Sequence, residues 1–194
     1  MASFYALDGA GTNVQTFSGD RLYVCSATPS SSGTVTNGHG RVRITATGTT
    51  SAKMVIYSDS GGEPNAPLAV SDEVTVDWTT STETNFAFSG ANQISIVSGT
   101  PYWIGFLFDD PGTPSFEMRR NNTAGLVRYK STTYPTAPNP YSADGSSAGA
   151  LNAVIDYTET SSSSVKTFGG LTKSSIKTVN GLVIASVKTF NGLA

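Results

Sequence analysis

Short runs of alternating apolar and polar residues recur along the first 157 residues of the chain. The clearest is Arg41–Ala46, in which Val42, Ile44 and Ala46 fall on one face of an extended strand. Sequences rich in Gly, Pro, Asn, Asp and Ser separate these runs, as tight turns require. The pattern predicts strands at 21–26, 41–46, 52–57, 73–78, 85–88, 93–97, 101–108, 126–130 and 150–157.

Helical periodicity is missing from the sequence. Apolar residues nowhere recur at helical spacing, with caps, for more than two turns. Residues 37–40 and 58–67 are expected to be loops, as is the longer stretch 131–149. The run 101–108 is the most apolar and is expected to be a central strand that is covered on both faces. The predicted fold class is therefore all-β, an antiparallel sandwich of the jelly-roll or Ig-like kind.

Residues 164–194 contain three copies of a unit with a period of eleven residues, with starts at Ser164, Ser175 and Ser186. Each unit contains a two-residue turn signal: Gly169-Gly170, Asn180-Gly181 or Asn191-Gly192. Asn-Gly is the strongest short signal for a two-residue hairpin, because both turn positions need positive φ. The repeat therefore predicts a C-terminal series of β-hairpins.

Both faces of these predicted hairpins carry apolar residues. Small hairpins are marginal in water by themselves and expose unpaired edges. We therefore expect the repeat to pair with other subunits, although an intramolecular sheet against the body or a partly disordered tail is the alternative. The expected assembly residues are Val165, Phe168, Leu171, Ile176, Val179, Leu182, Ile184, Val187, Phe190 and Leu193.

Composition divides the chain into a body (1–157), a Ser/Thr-rich linker (158–163) and the repeat (164–194). The repeat contains four lysines and no acidic residue. Because the whole chain has a formal charge of −2, the first 160 residues carry −6. An acidic body with evenly spaced tail lysines argues against nucleic-acid binding. No run is long enough to suggest insertion into a membrane.

Catalytic chemistry has little support in the sequence, and we expect the protein not to be an enzyme. Cys25 is the only cysteine, and its apolar neighbours predict a buried strand residue rather than a nucleophile. The only histidine, His39, falls in a predicted Gly-rich loop. A glycosidase would need two carboxylates, one with a raised pKa, and no acidic residue stands in an apolar setting.

Two kinds of binding site are weaker candidates. Aromatic rings in loops can stack on sugars, and the candidates are Trp78, Tyr134 and Tyr141, the last two in a Pro-rich loop that favours exposure. Tyr102 and Trp103 are adjacent in a strand, so at least one of them is expected in the core. No cofactor is expected, except that calcium could bind loop carboxylates if the loops meet at one end of the sandwich. Those carboxylates are Asp59, Glu63, Asp109 and Asp110.

Residues 54–105 resemble a β-sandwich module of prokaryotic and phage surface proteins. The similarity lies in Tyr57-Ser-Asp-Ser-Gly-Gly-Glu-Pro64, Trp78, and Ser98-Gly-Thr-Pro-Tyr-Trp-Ile-Gly105. In such modules, a Y-S-D-x-x-G-x-P hairpin precedes a G-T-x-Y-W-I strand. The resemblance implies a sandwich similar in outline to carbohydrate-binding domains of virion or cell-surface structural proteins.

These observations predict a structural protein of an extracellular particle, most readily a phage fibre, spike or capsid decoration. The expected partners are further copies of the chain, with a trimer favoured, and other virion or surface-assembly proteins. The N-terminus shows no secretory signal, so we expect synthesis in the cytoplasm and function in a virion or extracellular assembly. The alternative is a carbohydrate-binding module that recognises a cell-surface glycan through its loops.

Overall fold

The computed structural model describes residues 1–7, 13–45, 48–77, 83–110 and 116–160, and the backbone of 167–168, 171–172, 178–179 and 182–183. By internal contacts the chain divides into two compact units, Met1–Glu159 and Thr160–Ala194. The strands are β1 (Ala2–Tyr5), β2 (Asn13–Phe17), β3 (Arg21–Ala27), β4 (Gly33–Ile44), β5 (Thr49–Ser60), β6 (Glu63–Val70), β7 (Val74–Asp77), β8 (Glu83–Ala87), β9 (Ser95–Ile96), β10 (Tyr102–Phe108), β11 (Phe116–Ser131), β12 (Gly145–Leu151), β13 (Ala153–Glu159), β14 (Thr167–Phe168), β15 (Leu171–Thr172), β16 (Thr178–Val179) and β17 (Leu182–Val183).

The all-β, antiparallel prediction is confirmed. In the described residues the only helix is a single 3₁₀ turn, Gly90–Asn92, and none is long and apolar enough to cross a membrane. The first thirteen strands form one hydrogen-bonded sheet whose main order is β1-β13-β4-β11-β3-β10-β5-β6. Strands β8 and β9 pair with β4, β2 and β12 pair with β11, and β7 pairs with β5.

The large sheet covers both sides of one core and is therefore sandwich-like. Strands β1, β13, β4 and β8 supply one side, and β11, β3, β10 and β5 supply the other. The two sides are joined where Val42–Ile44 of β4 pairs with Phe116–Met118 of β11. Rings meet across the core: the centroids of Phe86 and Phe106 are 5.5 Å apart. The strand path ends at β1 and β6, which do not pair with each other in the described residues, so the sheet is not closed.

The prediction of a loop at 37–40 is wrong, because these residues belong to strand β4. The segment runs through the middle of this twelve-residue strand. Its glycines are required by close packing rather than by a turn. A Cβ on Gly38 would lie 2.2 Å from Met54 Sδ, and one on Gly40 would lie 2.4 Å from the Asn152 carbonyl oxygen. Both glycines therefore let neighbouring elements approach the strand more closely than any side chain would allow.

The prediction of a loop at 58–67 is also mostly wrong, because β5 extends to Ser60 and β6 begins at Glu63. Strand β6 contains Pro64 and Pro67, and among the described strands it pairs with β5 alone, with two irregularities in register. Proline is compatible with an edge strand, because the missing N–H can face away from the partner. Gly61 and Gly62, with φ of 66° and 85°, form the two-residue turn from β5.

A second apolar cluster lies on the outer face of β3, β5 and β10. It comprises Leu22, Val24, Val55, Tyr57, Trp103, Leu107 and Tyr141. Tyr141 belongs to the loop between β11 and β12, whose Tyr134 and Ala137 also pack there. The loop thus covers the apolar outer face of the central strands. This confirms that 102–108 is buried on both faces.

Candidate functional site

The residues that carry the resemblance to surface sandwich modules are joined by Asp59. Its Oδ1 accepts a hydrogen bond of 2.8 Å from the Trp103 indole, and its Oδ2 accepts one of 3.1 Å from the Gly62 amide. One carboxylate thus ties the β5–β6 turn to the β10 strand. Tyr102 has a similar role, since its hydroxyl accepts a bond of 3.0 Å from the Val97 amide. In this chain the two sequence patterns therefore perform a structural task.

Tyr141 is not the exposed ring that its loop position predicts. Only 7% of its surface is exposed, and its ring meets that of Tyr57 edge to face at 5.4 Å. Burial raises the pKa of Tyr141 above the usual range of a phenol. The prediction failed because the Pro-rich loop folds onto an apolar sheet face instead of projecting from it. Tyr102 and Trp103 are both buried, and Trp78 lies outside the described residues.

Tyr134 is partly exposed and anchors the same loop. Its hydroxyl donates a hydrogen bond of 2.7 Å to Glu73, which also accepts one of 3.0 Å from Ser51. Desolvation and the Glu73 carboxylate raise the pKa of Tyr134, while its hydroxyl lowers the pKa of Glu73. The ring therefore fastens the loop to β5 and β7, which leaves it poorly placed to stack on a sugar.

The four carboxylates proposed for calcium do not meet. In the β5–β10 register, Ser58 lies opposite Tyr102 and Ala52 lies opposite Phe108. Asp59 and Glu63 are consequently at one end of this strand pair, and Asp109 and Asp110 follow its other end, roughly 20 Å away. Glu63 forms an ion pair with Arg128. In the described part of the chain, no three acidic, histidine or cysteine side chains are arranged to hold a metal ion.

Cys25 is buried in the core, as predicted. Its thiol donates a weak hydrogen bond to the Ile104 carbonyl, and burial raises its pKa to about 12. His39 lies on β4 between the carboxylates of Glu83, at 3.0 Å, and Asp156, at 3.6 Å. This row of polar side chains joins β8, β4 and β13 on the outer side of the sheet. Cys25 and His39 are therefore not paired as a nucleophile and its base.

A small cleft, which we call the β3–β11 cleft, lies where β2, β3, β11 and β12 meet. Its volume is about 200 Å³. The Arg21 guanidinium carbon lies 5.4 Å above the centre of the Tyr129 ring, and the rings of Phe17 and Tyr23 are 4.5 Å apart. Burial raises the pKa of Tyr23, against the effect of the Ser18 amide and Arg21. The cleft is lined by Thr16, Phe17, Ser18, Arg21, Tyr23, Tyr129 and Ser147.

Sequence reasoning missed this cleft, although part of it was visible. Arg21 and Tyr23 are two residues apart in a strand and so share one face, but Tyr129 joins them only through the Tyr23–Tyr129 register. The stretch Gly145–Gly149 also spells Gly-x-Ser-x-Gly around Ser147. It lies in strand β12 rather than at a strand-to-helix turn, and no histidine lines the cleft, so it is not a nucleophile elbow.

The C-terminal unit contains the hairpins that the first two repeats predict. Phe168 pairs with Leu171 across residues 169–170, and Val179 pairs with Leu182 across residues 180–181. Each hairpin is a separate two-stranded sheet in the described residues. The expected assembly residues Val165, Ile176, Ile184, Val187, Phe190 and Leu193 lie outside the described residues.

Comparison with known proteins does not add a family to this description. No protein-family model matches the chain, and no curated protein matches it. The resemblance of residues 54–105 to surface sandwich modules therefore stays a prediction from the sequence.

Proposed function

We propose that this chain is a non-enzymatic structural protein of an extracellular particle, such as a phage fibre, spike or decoration protein, and that its C-terminal repeat joins it to other copies. The observation that carries the proposal is the pair of hairpins in the unit Thr160–Ala194. Each hairpin consists of two strands that pair with each other, and the outer edge of each strand is unpaired in the described residues. Such edges are templates for further strands.

The physical argument rests on the size of the hairpins. A two-stranded hairpin is marginal in water, because it buries little apolar surface against the entropy lost on ordering its backbone. Pairing with the same element in other subunits would satisfy the edge groups and cover apolar residues such as Phe168 and Leu171. Three copies of the repeat multiply this gain within one chain. A closed ring of subunits, with a trimer favoured, would leave no free edge.

Charge supports the same proposal. The C-terminal repeat carries four lysines without an acidic residue, whereas the first 160 residues carry −6. Opposite charges on two regions of one chain favour attraction between neighbouring copies over self-repulsion. They also favour an orientation in which the tail of one copy faces the body of the next.

Size-exclusion chromatography with light scattering tests the proposal directly. The full chain is expected to form a defined oligomer, and a chain that ends at Thr160 is expected to be a monomer. A variant with Gly170→Pro, Gly181→Pro and Gly192→Pro should also be monomeric, because proline cannot adopt the positive φ that a two-residue hairpin turn requires at such a position. Ser161→Pro, in the linker, is the matched control and should keep the oligomer. A monomeric full chain at working concentration would contradict the proposal.

A further inference from the structure

The β3–β11 cleft has the size of one small ligand. A volume of about 200 Å³ equals the liquid volume of roughly seven waters, so the cleft has room for a small ligand. Its walls come from four strands of a single hydrogen-bonded sheet, except for Ser18, which follows the end of β2. Sites built on strands hold their side chains more firmly than sites on loops. The cleft is therefore suited to a single rigid residue of a larger molecule.

Arg21 gives the cleft a positive charge that no acidic partner among the described residues neutralises. Arg43, Arg128 and Lys130 each form an ion pair with an acidic side chain in the described residues. Arg21 forms no ion pair there and lies over the Tyr129 ring instead. Arg21 also hydrogen-bonds the Tyr23 side chain, and the guanidinium has five N–H donors, so those not used there can meet a planar acceptor. Carboxylates fit this fork with two parallel hydrogen bonds.

The remaining lining is typical of a sugar site. Thr16 and Ser18 present hydroxyl groups at the exposed rim, and Ser147 presents a third, which also accepts a 3.4 Å hydrogen bond from Arg120. Phe17, Tyr23 and Tyr129 supply apolar ring surface beside them. A free phosphate or sulfate would gain nothing from the rings. A sugar ring would use both kinds of surface, since its C–H face is apolar and its hydroxyls need partners.

We propose that the β3–β11 cleft binds one carboxylate-bearing sugar, of the uronic-acid class, with Arg21 holding the carboxylate and the tyrosines facing the sugar ring. This site is separate from the loop aromatics first considered for glycan binding, and it does not depend on assembly through the tail. Because the ligand is one small residue, single-site affinity is low, with a dissociation constant on the order of 1–10 mM. Several copies in an oligomer would raise the effective affinity for a polymer of such sugars.

Ligand-observed saturation-transfer NMR on the full chain, with free glucuronate as the probe, tests the proposal. Glucuronate should bind saturably. Glucose, which has the sugar ring without the carboxylate, and acetate, which has the carboxylate without the ring, should each bind at least tenfold more weakly. Arg21→Gln should weaken glucuronate binding roughly ten- to hundredfold, because a charge-assisted pair is lost. Lys53→Gln removes one positive charge outside the cleft and should leave the affinity unchanged.

Circular dichroism of each variant shows whether it is folded, and Thr16→Val, which removes one rim hydroxyl, is a second and milder test. It should weaken glucuronate binding a few fold without changing the spectrum. Absence of saturable glucuronate binding by the folded full chain would overturn the proposal. Equal binding of acetate and glucuronate would also overturn it, because the cleft would then recognise a carboxylate without the sugar. A loss of binding in Lys53→Gln as large as that in Arg21→Gln would overturn it as well.

Discussion

At the scale of single residues, polar side chains fix how loops attach to the sheet. Asp59 joins a turn to a tryptophan, and Tyr134 joins the long loop to Glu73. At the end of that loop, Asp144 accepts bonds from Lys130 and from the Ser131 amide, both at 2.7 Å, which lower its pKa to about 2. Each bond connects positions that a strand pattern leaves undefined. They determine where the loops lie.

Replacing Asp59 tests this role. Asp59→Ala removes the acceptor for both Trp103 and Gly62, so we expect a loss of about 1–3 kcal/mol in the free energy of unfolding, because a largely buried indole N–H is left without its partner. Asp59→Asn keeps one oxygen of the same shape and should lose less. Urea unfolding followed by circular dichroism measures both. Equal stability of Asp59→Ala and the unchanged chain would contradict the structural role.

At the scale of elements, β4 and β6 show where local signals mislead. Gly and Pro usually mark the ends of strands. In this chain, however, Gly38 and Gly40 lie inside β4, and Pro64 and Pro67 lie inside β6. The glycines are there because of atoms far away in sequence, such as those of Asn152 and Phe106. The prolines are tolerated because β6 has a partner on one side alone. Neither circumstance can be read from neighbouring residues.

Gly40→Ala is the corresponding test at the level of the strand. The added methyl would lie 2.4 Å from the Asn152 carbonyl oxygen and 2.5 Å from a Phe106 ring carbon, so the strand or its neighbours must move. We expect a destabilisation of about 1–3 kcal/mol, typical of overpacking. Thr34→Ala, at an exposed position of the same strand, should change the free energy of unfolding by less than about 0.5 kcal/mol. Similar effects of the two substitutions on thermal unfolding would refute this account.

At the scale of the whole molecule, two units differ in size, charge and composition. The first, Met1–Glu159, has a continuous core and a second apolar cluster under its long loop. The second, Thr160–Ala194, contains short hairpins and all four lysines of the repeat. A domain with its own core of this kind is expected to fold alone.

The first unit should therefore be stable without the second. A chain that ends at Thr160 should unfold in one cooperative transition, with a Tm within about 2 °C of the same transition in the full chain measured at a concentration where both are monomeric. Differential scanning calorimetry gives the comparison. A molten or strongly destabilised truncated chain would show that residues after 160 contribute to the core.

The sequence alone determined the fold class, the buried central strand and the strand pairing of the first two hairpins. Alternation with period two, and Asn-Gly or Gly-Gly at fixed spacing, act within a few residues and are written in order along the chain. It could not determine the length of β4, the strand character of β6 or the burial of Tyr141. Those depend on which distant surfaces meet. Tertiary structure alone brought Arg21, Tyr23 and Tyr129 into one cleft and separated Asp59 from Asp109, because register between strands decides which side chains become neighbours.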